Sequence, residues 1–247
     1  MEKQHHIHLV PGDVADLVFL PGDVSRAKFI AERFDKAELV AHNRQYITYT
    51  GTYQGVPVSV TSTGIGCPAL AIAMEELIKV GAKQFIRIGT CGALQPYVDL
   101  GDIIIATAAV RGDGTSREYF PLEYPAIADL HIIEALVEAA AQRDVEPKVG
   151  VMRAHDNFYA ESVFAKIDYL ERDKPWIDAG VLVVENESST LFTLATARGC
   201  QGGTILTPVG HHLYPERKIS TEATVKAVET ETLIALDAAV KLSKLED

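Results

Sequence analysis

Short runs that are almost entirely apolar alternate with amphipathic runs along the chain, and this alternation limits the fold more than any other feature. DLVFL (16–20), VPVSVTS (56–62), QFIRI (84–88), DIIIATAAV (102–110), VGVMRA (149–154), GVLVVE (180–185) and GGTILTPV (202–209) carry the aliphatic and β-branched residues of buried strands. SRAKFIAERF (25–34), PALAIAMEELIKVG (68–81), LHIIEALVEAAAQRD (130–144), SSTLFTLATARG (188–199) and STEATVKAVETETLIALDAAVKLSKL (220–245) repeat apolar residues at helical spacing. Strands apolar on both faces need helices on both faces. The pattern therefore predicts an α/β fold, a three-layer α/β/α arrangement around a mixed, largely parallel sheet. No Pro/Ser-rich linker or low-complexity tract breaks it, so residues 1–247 read as a single domain. In such folds ligands bind beyond the carboxyl ends of the strands, which makes the turns there the place to look for function.

The tetrapeptide Pro-Gly-Asp-Val occurs twice, at 11–14 and 21–24. The first copy precedes a strand and has no helix behind it, so it reads as a surface turn made by Pro11, Gly12 and Asp13. The second follows Leu17-Val18-Phe19-Leu20 and leads directly into a helix. There Gly22 allows close approach of the backbone to a ligand, and the helix start offers free N–H groups to an anion. Arg26 falls in the first helical turn, where a cation opposes the macrodipole, and a bound anion offsets that cost. The simpler reading is a turn with Asp23 as helix cap.

Two further strands are followed by glycine. One runs through Gly64 and Gly66 into a helix, the other through Gly89, Thr90, Cys91 and Gly92, and both read as glycine-bearing turns that share a pocket with the first. Within the second of these strands, Phe85-Ile86-Arg87-Ile88 places a guanidinium in a buried position. A buried charge needs a partner: a core carboxylate is the common one, a phosphate the functional one. Gly64–Ala69 also fits the G-x-G-x-x-A dinucleotide pattern, a reading that points to an oxidoreductase. The acid expected after the next strand to hold a ribose is missing, which argues against it.

Glu185, Asn186 and Glu187 stand between a strand and a helix. Glu187 there can act as a cap or balance the dipole, but two carboxylates together also suit a vicinal diol, each oxygen accepting a hydrogen bond. A guanidinium for an anion and a carboxylate for a diol suggest a sugar and an anion bound side by side. Lys plus Arg total 23 against 34 Asp plus Glu, a net charge of −11, which repels nucleic acid. Cys67, Cys91 and Cys200 form no CxxC pair, the start MEKQHHIHLV has no apolar signal core, and no run is long enough for a membrane span, so the sequence reads as cytoplasmic. His5, His6 and His8 lack an accompanying acid or cysteine cluster, so no metal is expected.

FLPGDVSRAKFIAERF, NRQYITYTGTY, STGIGCPALAIAMEEL, IRIGTCGAL, VRGDGTSREYFPLEYPAIAD and VVENESSTLFTLA, in this order along nearly the whole chain, resemble the hexameric nucleoside phosphorylase family, and the fifth segment is most similar to its uridine branch. The resemblance implies phosphorolysis of a nucleoside to free base and ribose 1-phosphate. Inorganic phosphate is then a co-substrate and no cofactor is needed. It implies a phosphate site of Gly22, Arg26, Arg87 and Thr90, completed by Arg44 from a neighbouring subunit. It implies ribose contacts from Glu185, Asn186 and Glu187, with His6 supplied by the neighbour near the 5′-hydroxyl. Base contacts follow at Thr90, Gly92, Phe158, Ser162 and His211, and the implied assembly is a homohexamer of dimers with shared sites.

Three positions depart from the family pattern. Asn186 stands where a methionine separates the two glutamates. Ser162 and Phe164 stand where the uridine branch carries the Gln and Arg that read uracil. His211 lies near the position of the aspartate that protonates purines, and a histidine is suited to give a proton to a leaving base. Uridine or a related pyrimidine nucleoside is the first expectation. A purine or methylthioadenosine phosphorylase, and a nucleoside-binding protein without turnover, are the alternatives.

Overall fold

The computed structural model describes residues 3–159 and 169–244. The chain runs β1 (Leu17–Pro21), α1 (Val24–Ala31), β2 (Lys36–Asn43), β3 (Tyr46–Tyr53), β4 (Val56–Thr61), α2 (Cys67–Lys79), β5 (Gln84–Ala93), β6 (Ile104–Gly112), α3 (Thr115–Tyr119), β7 (Ala126–Ile127), α4 (Leu130–Ala141), β8 (Lys148–His155), α5 (Tyr169–Asp178), β9 (Val183–Glu185), α6 (Ser188–Ala197), β10 (Gln201–His211) and α7 (Thr221–Ser243). Every apolar run became a strand and every amphipathic run a helix. The β2–β3 hairpin, α3, β7 and α5 were not expected. β2 is mostly exposed, and its apolar run is only the three residues Leu39-Val40-Ala41, too short to announce a strand.

The sheet is mixed, in the order β10-β6-β8-β9-β5-β1-β4-β3-β2, with β7 on β6. β1 pairs in parallel with β4 and β5, and β10 pairs in parallel with β5 and antiparallel with β6. Because β10 reaches both β5 and β6, the five strands β5, β10, β6, β8 and β9 close on themselves. Helices cover both faces. Leu70, Met74 and Leu77 of α2 pack with Leu191, Phe192 and Leu194 of α6 in one apolar cluster. Ile30 of α1, Leu136 of α4 and Ile234 of α7 belong to the other. Among the described residues no helix is long and apolar enough to cross a membrane.

The strand β5 positions the site. On one edge β1 accompanies it as far as the pair Pro21–Ile88. On the same side β9 takes over only at Gly92–Val184 and Ala93–Val183. The interval between the two neighbours is where the sheet opens. The glycines of this stretch are strand residues paired with β10, Gly89 opposite Leu206 and Gly92 opposite Gly210. The turn expected at 89–92 is therefore absent. These glycines serve side-chain clearance instead: a Cβ on Gly89 would lie 3.1 Å from Nη2 of Arg87, and one on Gly92 would lie 2.8 Å from Nε2 of His212.

Candidate active site

A cavity of about 870 Å³ fills the opening between β1, β5 and β9, within the size range of small-molecule sites. Three loops at strand ends meet there. The loop after β1 carries Gly22 and Asp23, whose side chain caps α1 by accepting from the Ser25 N–H at 2.6 Å. The loop after β4 carries Gly64 and Gly66, and the Gly64 N–H donates to the Gly22 carbonyl at 2.9 Å. Both Gly64 and Gly66 have positive φ, 76° and 93°, which side chains rarely accept. The loop after β9 carries Asn186 and Glu187. The first Pro-Gly-Asp-Val lies away from the cavity as a surface turn, with Gly12 at φ 95° and Asp13 accepting from the Val10 N–H.

The guanidinium of Arg87 joins the loops. It is 5% exposed. Its Nε donates to Glu185 Oε2 at 2.7 Å and its Nη2 donates to Glu187 Oε2. Its Nη1 is buried and has no hydrogen-bond partner among the described residues. The arginine thus has its carboxylate partners and one donor left over in the cavity wall, beside Gly22, Arg26 and Thr90. A buried donor without a partner costs free energy that a bound acceptor recovers.

The two carboxylates differ in support. Glu185 accepts from the backbone N–H groups of Glu187 and Ser188 and so fixes the start of α6. Burial pushes its carboxyl above the usual range and the nearby Glu187 adds to this, against the pull of Arg87. Glu187 accepts from the Gly66 N–H on one oxygen and from Arg87 on the other. Asn186 donates to the carbonyl of His155, holding the loop to the end of β8.

At the other end the wall is made of His155, Phe158, Gly92, His211 and His212. Burial, Arg153 and Arg172 push His155 down to about 4, so its imidazole is neutral. Phe158 is 70% exposed at the rim. His211 is buried with both nitrogens engaged: Nε2 donates to the Gln95 carbonyl at 3.1 Å, and Nδ1 accepts from the Leu213 N–H at 3.2 Å. His212 instead donates from Nδ1 to Asp173 Oδ2 at 2.7 Å, and Asp173, fully buried on α5, also accepts from Arg153 at 2.8 Å. Ser162 and Phe164 lie outside the described residues. Sequence reasoning missed His155 and the His212–Asp173 pair. The only signal for either was a histidine at a strand end.

His6 and Arg44 do not line the cavity of the single chain. His6 is tied to Glu76 of α2 through its ring and its backbone N–H. Arg44 is exposed in the tight β2–β3 turn at φ 53°.

Residues 16–241 match the model of the phosphorylase superfamily. The chain belongs to that superfamily. This phosphorylase superfamily protein is 42% identical to the uridine phosphorylase of Thermococcus kodakarensis, across 97% of the chain and 86% of the relative. It is 43% identical to the guanosine phosphorylase of Halorubrum lacusprofundi, across 85% of each. The crystal structure of uridine phosphorylase from Vibrio fischeri superposes with a TM-score of 0.90 at 33% identity, across 98% of both chains. The protein is thus an enzyme of the nucleoside phosphorylase type.

Proposed function

We propose that the protein catalyses reversible phosphorolysis of a nucleoside, uridine first, giving free base and ribose 1-phosphate. The observation that carries this reading is the buried Nη1 of Arg87, left without a partner beside a carboxylate pair. Phosphate seats against Arg87 and Arg26, with Gly22 and Thr90 alongside. Glu187, held by Gly66 and Arg87, receives the ribose hydroxyls, with Glu185 and Asn186 fixing its loop.

A phosphate oxygen forms a bond to the anomeric carbon as the bond to the base breaks. Positive charge builds on the sugar, and the phosphate beside it stabilises that charge. The base departs with the bonding electron pair and needs a proton. We assign the donor to His212, which lines the cavity beside Gly92 and is oriented by Asp173. Phe158, Gly92 and Thr90 border the base. His6 and Arg44 complete the site of a neighbouring copy, which makes the active unit at least a dimer, and we read the assembly as a cytoplasmic homohexamer. Light scattering after gel filtration tests the assembly.

The deciding experiment incubates uridine, thymidine, guanosine, inosine, adenosine and methylthioadenosine with and without phosphate. Phosphate-dependent release of uracil at the highest kcat/KM supports the reading. Guanine released faster than uracil moves the substrate to the purine side. Silence across the panel from folded protein overturns it in favour of a binder without turnover.

A further inference from the structure

Behind the anion end of the cavity lies a second carboxyl group. Glu231, on the inner face of α7, is fully buried, and neither of its oxygens has a hydrogen-bond partner among the described residues. The nearest cation is Arg26, whose Nη1 stands 3.9 Å from Glu231 Oε1, too far for a hydrogen bond. Arg26 lines the cavity and Glu231 does not. The guanidinium therefore stands between the substrate space and a buried carboxyl. Its place in the first turn of α1, where the helix end carries positive partial charge, leaves the N-cap Asp23 as the anion that its own helix start offers it.

We propose that Glu231 is a proton-linked positioning residue of the phosphate site: as the neutral acid it leaves Arg26 to the phosphate, and as the carboxylate it draws Arg26 away. The proposal rests on phosphate binding at Arg26 and Arg87. The groups that face Glu231 are few. Arg26 comes from α1, Arg87 and the Cys91 thiol from β5, and the Thr207 hydroxyl, beside it without a well-formed hydrogen bond, from β10. Among the described residues α4 and β4, which also pack on α7, present no charged group to it. Burial outweighs both arginines and pushes the carboxyl up to about 8. Neutral and ionised forms then exchange within the range where the protein can be assayed. One negative charge more or less behind the arginines is a large fraction of what a phosphate meets there.

The test is calorimetric titration of the full chain with inorganic phosphate at about pH 7 and about pH 9, for wild type and Glu231→Gln. For wild type the Kd is expected to rise about tenfold between the two, since each pH unit above the transition removes about nine-tenths of the neutral form. For Glu231→Gln the ratio is expected to stay within about twofold of 1. Equal ratios in the two proteins overturn the proposal and leave the phosphate site standing. Absence of phosphate binding by wild type overturns both. Should the variant not fold, wild type alone decides: phosphate binding near pH 8.5, measured in two buffers of different ionisation heat, is expected to draw protons from the buffer. No uptake, or release, overturns the proposal.

Discussion

Arg87 and Glu187 are hydrogen-bonded to each other across the middle of the cavity, so the group that meets the anion and the group that meets the sugar move as one unit. The two subsites are therefore mechanically coupled, and a change at the arginine is felt at the ribose. Arg87→Lys keeps the charge but cannot serve Glu185, Glu187 and a phosphate together. We expect kcat/KM to fall by about 1,000-fold or more, with KM raised for nucleoside as well as for phosphate. Steady-state kinetics with each substrate varied in turn check this. A rise confined to phosphate contradicts the coupling.

Gly89 bears on the same unit from the other side. A Cβ there would stand 3.1 Å from Nη2 of Arg87 and 3.2 Å from Cδ2 of Leu206. Gly89→Ala requires the guanidinium or Leu206 to give way by a few tenths of an ångström, which disturbs the bonds of Arg87 to its carboxylates. The expected cost in stability is about 1–2 kcal/mol, with kcat/KM down about tenfold or more. Thermal unfolding beside phosphate-dependent kinetics separates the two effects.

That glycine also marks the limit of what the sequence conveys. Gly after a strand reads as a turn, and Gly64 and Gly66 are in loops. Gly89 and Gly92 are not, because the strand simply continues and side chains from elsewhere fill the space above them. Such a need arises from contacts distant in sequence, invisible to local spacing. The same holds for Glu231: in the helical pattern of 220–245 it is one more polar residue, and only the fold sets it behind Arg26. Arg87 and Glu187 were legible, since a charge in an apolar strand and a carboxylate pair at a strand end each conflict with local preference. The β2–β3 hairpin was not, because its outer strand is mostly exposed and keeps only three consecutive apolar residues.

The two adjacent histidines make a divided prediction. His212→Gln removes the base-side donor while leaving a polar side chain against Asp173, and kcat is expected to fall about 100-fold. His211→Gln breaks the bonds to Gln95 and Leu213 and is expected to lower stability by about 1–2 kcal/mol, with kcat changed less than about fivefold. Comparing kcat and unfolding midpoints for both variants checks the division. The reverse pattern returns the proton to His211.

Phe158 is 70% exposed and lines the cavity, so its apolar ring contributes little to the core. Phe158→Ala is expected to leave the melting temperature within about 1 °C of wild type and to raise the nucleoside KM about tenfold through lost packing on the ligand. The phosphate KM stays near wild type. Parallel rises for both substrates would place the ring elsewhere in the mechanism.

The buried carboxyls set how stability depends on pH. Glu231 is pushed up to about 8 from an unfolded value of 4.5, and Glu185 is shifted in the same direction. Between the unfolded and folded values the native protein holds protons that the unfolded chain has released, so stability falls as pH rises through that window. The loss is complete once pH exceeds the folded value, and below 4.5 neither group contributes. Glu231→Gln removes one such group without removing its shape. Its advantage over wild type is expected to be near zero at about pH 4.5, to grow through neutrality, and to level off on the order of 5 kcal/mol above about pH 8. Urea unfolding of both proteins at about pH 5, 7 and 9 measures it. A variant less stable than wild type at pH 9 would mean that Glu231 is ionised there and held by Arg26 in a stabilising pair, with burial the weaker influence.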